Sequence, residues 1–280
     1  MPRPALNWLA RPASDTQITH RGRLWLYFLA GAVIVFLVIP TLIVIPMSFS
    51  ASQYLEFPPR EWSSRWYDNY FNSREWMNAT WVSVRAALLT VLVVTPIATM
   101  AAYGLAVSRV KAARWLFLLL ITPMMVPVIL VAIGVFFAYT HLRLNNTMLG
   151  LVLAHSALAL PMSLIVIAAG LKSYDMNQEL VARSLGAPRL LAFLVITLPQ
   201  IRFSVITGAL LAFIVSFDEV IVALFISGRD MSTITRSMFL ALRDQIDPTI
   251  AAISTVMIII TSAALVIAQV FGKSKEPGEE

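Results

Sequence analysis

The sequence predicts an all-α membrane protein with six transmembrane helices. Three observations carry that expectation: a composition dominated by apolar side chains, six apolar segments of bilayer-crossing length, and basic residues gathered in alternate loops. Hydrophobic residues make up 59% of the chain and charged residues 13%, against about a quarter charged in soluble domains. So few charges cannot build a solvated shell, so the surface faces lipid.

Residues 1–23 are polar and basic (Arg3, Arg11, Arg21, Arg23) and form an N-terminal segment ahead of the membrane domain. The apolar stretch from Leu24 to Phe49 exceeds the roughly 7 to 15 residues of a signal-peptide core and reads as a retained first span. Five more segments follow at 79–107, 115–139, 148–171, 200–227 and 249–271, each near the roughly 20 residues that cross about 30 Å of hydrocarbon. Together they define a membrane domain over 24–271, followed by a short tail, 272–280. Pro40, Pro46, Pro96, Pro123, Pro127 and Pro161 fall inside the spans, where each removes a backbone donor and is expected to kink its helix.

Six spans put both termini on one side. The loops on that side hold twelve Lys and Arg (Arg3, Arg11, Arg21, Arg23, Arg109, Lys111, Arg114, Lys172, Arg183, Arg189, Lys273, Lys275) against seven opposite (Arg60, Arg65, Arg74, Arg143, Arg229, Arg236, Arg243). The positive-inside rule therefore predicts cytoplasmic termini in a bacterial inner membrane. The outer segment 51–77 is rich in aromatics (Tyr54, Phe57, Trp62, Trp66, Tyr67, Tyr70, Phe71, Trp76). It reads as an interfacial belt or as a docking surface for an extracellular partner.

Several functions are excluded at once. Net charge is +6, yet no basic run interleaves with aromatics on one element, so nucleic acid is not a partner. Cysteine is absent, no HExxH or GxSxG occurs, and His20, His141 and His155 lie on separate segments. No metal site or enzymatic constellation is expected, and His155 reads as a helix-to-helix hydrogen-bonding group. Gly272-Lys273-Ser274 imitates the end of a phosphate-binding loop, but Ile267 stands where that loop needs a glycine. Any ATP hydrolysis must occur on another chain.

The loop Lys172–Pro199 carries the clearest pattern. A helix-like segment reaches Leu185, Gly186-Ala187-Pro188 interrupts it, and an apolar segment follows up to Pro199. Helix, glycine turn, helix is a compact surface for a partner. With Gly186, nine intervening residues and Ile196-Thr197-Leu198-Pro199, the loop resembles the hallmark of the integral permeases of binding-protein-dependent ABC importers. The opening Glu-Ala-Ala of that hallmark is replaced by Leu180, Val181 and Ala182, with Glu179 one residue earlier. Further stretches are similar to the spermidine/putrescine-type permeases: His155 to Pro161, Ser216 to Val220 with Phe225 and Gly228, and Asp247 to Ala252. The acidic residue expected after the third-span proline in that group is Val128 here.

The resemblance implies a type I importer permease that forms half of a translocation path for a small solute, with a lean to polyamines. It also implies a second permease, two cytoplasmic ATPase subunits that hold ATP and magnesium, an extracytoplasmic solute-binding protein, and no cofactor on this chain. Glu179, Ala182, Gly186, Ala187, Ile196, Leu198 and Pro199 become the expected ATPase-coupling residues. Ser216, Asp218, Glu219 and Phe225 become the expected substrate path.

Asp218 and Glu219 are the acidic residues well inside an expected span. A charge at the bilayer centre costs at least about 2.5 to 3.5 kcal/mol on insertion scales, so they should face a cavity or a partner group. Two further readings stay open: a structural pair bonded to a neighbouring helix, and a proton or ion relay in a secondary transporter. On the same span Ser204, Gly208, Ala212 and Ser216 recur every fourth residue, a stripe that lets another helix approach closely.

Overall fold

The computed structural model describes residues 20–108, 110, 112–244 and 247–272, without the side chains of 263–272. The basic segment up to Thr19, Arg109, Lys111 and the tail from Lys273 lie outside the described residues. The regular elements are helices: α1 Leu24–Met47, α2 Arg65–Asn72, α3 Arg74–Val107, α4 Ala112–Ile121, α5 Val128–Leu142, α6 Met148–Ser173, α7 Asn177–Ser184, α8 Arg189–Gln200, α9 Arg202–Phe217, α10 Ile221–Ile226, α11 Ile234–Asp244 and α12 Thr249–Gly272.

The all-helical membrane fold expected from the apolar segments is present, as both continuous and bent spans. Three helices are long and apolar enough to cross unaided, namely His20–Met47, Arg74–Val107 and Met148–Ser173. Two further spans are bent pairs: Ala112–Met124 meets α5 at 96°, and α8 meets α9 at 78°. The apolar part of α12 with described side chains, Thr249–Ser262, is shorter than a span. The 96° bend falls between Pro123 and Pro127, whereas α1, α3 and α6 continue through Pro40, Pro46, Pro96 and Pro161. The two prolines four residues apart flank a break, whereas those inside α1, α3 and α6 leave their helices continuous.

The chain divides into two compact units, with the boundary at Tyr70 in α2 and a second boundary ahead of α12. In the first unit α1 packs against α12, and none of the α1 side chains is buried. The segment after α1 is folded, not draped. Ser48 Oγ lies 2.7 Å from the Tyr67 hydroxyl, Arg65 donates to the Ala51 carbonyl at 2.9 Å, and Asn69 donates to Thr249 Oγ1 at 2.8 Å. Of its eight aromatics, Trp66, Tyr70 and Trp76 are buried while Tyr54, Phe57, Trp62 and Phe71 are exposed.

In the second unit α3, α6 and α9 pack on one another and form the core. Small residues make this close approach possible: Ala79, Ala86, Ala87, Ala98 and Ala102 are buried along one side of α3, and Gly208, Ala212 and Ser216 along α9. Ser73 caps the start of α3 and Thr147 that of α6, each accepting a backbone N–H three residues on. α10 packs on α5, and α11 on α3.

Candidate functional site

The loop between α6 and α9 is built around a glycine. α7 ends in a Schellman turn, with Gly186 N–H bonded to the Arg183 carbonyl at 3.0 Å and Ala187 N–H to the Ala182 carbonyl at 3.1 Å. Gly186 holds φ at +99°, a region that side chains with a Cβ rarely enter. Pro188 then sets the entry to α8. Inside α8 a π-turn runs over Phe193–Thr197, closed by Leu198 N–H on the Phe193 carbonyl. It directly precedes Pro199, whose ring would crowd the carbonyl four residues back in a regular helix.

Glu179 is turned inward and is 2% exposed. Its Oε1 accepts from the Tyr103 hydroxyl at 2.5 Å and its Oε2 from Thr197 Oγ1 at 2.6 Å. Arg189 Nε in turn donates to the Tyr103 oxygen at 3.3 Å, and the Phe193 ring lies 4.5 Å from that of Tyr103. One carboxylate thus joins the loop helix α7, the π-turn of α8 and the last turns of α3. Leu180, one residue on and rotated by about 100°, is exposed, as are Val181 and Leu185. Ala182, Ala187, Ile196 and Leu198 are half-buried, and Gly186 and Pro199 are exposed. Sequence reasoning did not reach Tyr103, Arg189 or Thr197 as partners of Glu179. Thr197 and Arg189 both fall at unspecified positions of the loop motif, and Tyr103 lies on another helix.

A second polar cluster lies deep in the bundle. His155 Nδ1 is 2.8 Å from Ser216 Oγ, which reaches Thr90 Oγ1 at 3.3 Å, so α3, α6 and α9 are linked by three side chains. His155 therefore is the helix-to-helix bonding group expected. Its Nε2 points toward Glu219 Oε2 at 3.9 Å, beyond hydrogen-bond reach.

The fifth span does not continue to residue 227: α9 stops at Phe217 and α10 begins at Ile221. The break separates the two carboxylates. Asp218 is exposed, while Glu219 is buried and accepts the Val222 and Ala223 amides at 3.0 and 3.1 Å. Glu219 acts as a cap for α10, and its own carbonyl accepts from Thr235 Oγ1 at 3.0 Å. Phe225 is exposed on α10. Gly228 N–H donates to Asn146 Oδ1 at 2.8 Å and Asn146 N–H to the Ile226 carbonyl at 2.7 Å, closing the far end of α10 on the loop before α6. The arrangement thus holds one exposed carboxylate and one buried carboxylate that accepts two backbone amides. No group of three metal-ligating side chains occurs among the described residues.

Bent spans, polar side chains inside the bundle and a capped helical loop at one end together define a polytopic transport subunit. Residues 94–277 match the family described as binding-protein-dependent transport system inner membrane component. The chain is 29% identical over 230 residues to the putrescine transport system permease protein PotI of Escherichia coli, covering 80% of this chain and 82% of that one. It is 27% identical over 248 residues to the spermidine/putrescine transport system permease protein PotC of Haemophilus influenzae, covering 87% and 96%. A chain of a bacterial ABC transporter involved in the import of the acidic polysaccharide alginate shares the fold, with a TM-score of 0.69 at 13% identity over 95% of this chain and 100% of that one.

The chain belongs to the binding-protein-dependent transport system inner membrane components. It is the permease subunit of an ABC importer, and the relay reading of Asp218 and Glu219 in a secondary transporter gives way to that membership.

Proposed function

We propose that this permease forms half of the translocation path of a polyamine importer, with a second permease beside it and both termini in the cytoplasm. Two ATPase subunits, carrying ATP and magnesium, dock on the loop 172–199, and an extracytoplasmic binding protein delivers the solute. The observation that carries the coupling is the Glu179 junction. The outward face of α7 offers Leu180, Val181 and Leu185 to a partner, while the inward carboxylate holds α7 to Tyr103 on a core helix. Movement imposed on the loop is thereby passed to α3. The polyamine class is supported by the similarity to the putrescine and spermidine/putrescine permeases and by the exposed Asp218, a carboxylate free to replace hydration lost by an ammonium group.

The test uses the complete importer in proteoliposomes. Gly186→Val forces a Cβ into a positive-φ position, a strain of roughly 1 to 2 kcal/mol at the turn. Glu179→Gln weakens two hydrogen bonds to a charged acceptor, each worth about 1.5 to 3 kcal/mol. Both variants should assemble while losing most solute-stimulated ATP hydrolysis, Gly186→Val the more severely. Full coupling in Gly186→Val removes this loop as the ATPase joint. Uptake of an uncharged or anionic solute in preference to putrescine removes the polyamine assignment and leaves the joint intact.

A further inference from the structure

A cavity of about 970 Å³ opens between the last turns of α3, the first turns of α4 and the last turns of α6. Its inner walls are apolar, including Ala102, Phe117, Leu118 and Ile165, while Arg114, Trp115 and Lys172 stand at its rim. The polarity follows from the helices. Lys172 is the penultimate residue of α6 and Arg114 the third of α4, so both cations lie at the helix-end face of the cavity. Ile165 lies seven residues before Lys172, about 10 Å deeper along α6.

Arg114 and Lys172 are exposed, neither forms an ion pair among the described residues, and no carboxylate lines the cavity. Trp115, 73% exposed, supplies the amphipathic ring that favours a headgroup boundary. We propose that this cavity binds an anionic phospholipid, with its phosphate on Arg114 and Lys172 and an acyl chain along the apolar walls. A small anion would leave those walls unfilled, a neutral lipid would leave two cations without a counter-charge, and a cationic solute would be repelled. The bound lipid wedges together the ends of α3 and α6, one residue from Tyr103 and at the root of the coupling loop.

The experiment is native mass spectrometry of the assembled importer after exchange from nanodiscs of phosphatidylcholine with or without phosphatidylglycerol. Phosphatidylglycerol should be retained about thirtyfold over phosphatidylcholine, as two cation contacts at about 1 kcal/mol each would give. Arg114→Gln with Lys172→Gln should abolish the preference. Ala169→Trp, which fills the cavity from an exposed lining position and leaves both charges, should abolish retention of either lipid. Millimolar inorganic phosphate should not displace the lipid. Equal retention of the two lipids, an unchanged preference in the double variant, or full displacement by phosphate would each overturn the proposal. So would retention by the isolated chain and not by the assembled importer, since a partner subunit would then cover the cavity.

Discussion

Glu179 and Glu219 are both buried carboxylates, and a buried charge is tolerated only where hydrogen bonds replace lost hydration. Glu179 meets two side-chain hydroxyls; Glu219 meets two backbone amides at the positive end of α10. Asp218 has neither kind of partner in its exposed position. The two neighbouring acids should therefore respond differently to neutralisation. Asp218→Asn should slow uptake of a cationic solute several-fold with assembly and binding-protein affinity unchanged. Glu219→Gln turns an amide NH₂ toward one of two donors and should lower stability by about 1 to 3 kcal/mol, read as a lower thermal midpoint in detergent. Equal transport defects with equal stability in both variants would restore a paired acidic site. Charge inside an apolar run marked both residues from sequence. Their divergence was not legible, because it depends on the helix ending at Phe217, and apolar runs read straight through that end.

Helix breaks and helix contacts decide the rest of the architecture. The apolar runs were legible by length, yet Ile201 bends the chain without lowering its hydropathy, and α9 ends at Phe217 inside a run that is apolar again from Val220. The every-fourth-residue stripe on α9 was legible too, and α6 occupies it: Ser163 Oγ donates to the Gly208 carbonyl at 2.8 Å. A Cβ added at Gly208 would meet Ile167 Cδ1 at 3.0 Å and Cγ1 at 3.1 Å. Gly208→Ala can be absorbed by a small shift of the Ile167 side chain. Gly208→Val should instead push α6 from α9, break the Ser163 bond and cost about 1 to 3 kcal/mol of overpacking. The expected sign is a modest loss of thermal stability for alanine and a clear loss for valine, with Ile167→Val rescuing part of the latter.

At the scale of the whole molecule, the same fold serves a transporter involved in import of an acidic polysaccharide, so the fold alone does not set the substrate. Orientation is testable directly because the chain lacks cysteine. With cytoplasmic termini, a cysteine at Ser64 should react with an impermeant thiol reagent from outside sealed cells, and one at Ser184 should not; both positions are exposed. Labelling of Ser184→Cys from outside would invert the topology.

The pairing of α1 with α12 bears on how the chain is made. About 200 residues separate the two helices, so this contact has a high sequence separation. A ribosome adding about 5 to 20 residues per second takes roughly 10 to 40 s to cover that distance. α1 is thus made well before the helix that it packs against. Through that interval lipid or the insertion machinery must stand in for α12, and synthesis stalled before Thr249 leaves α1 without the helix it packs against.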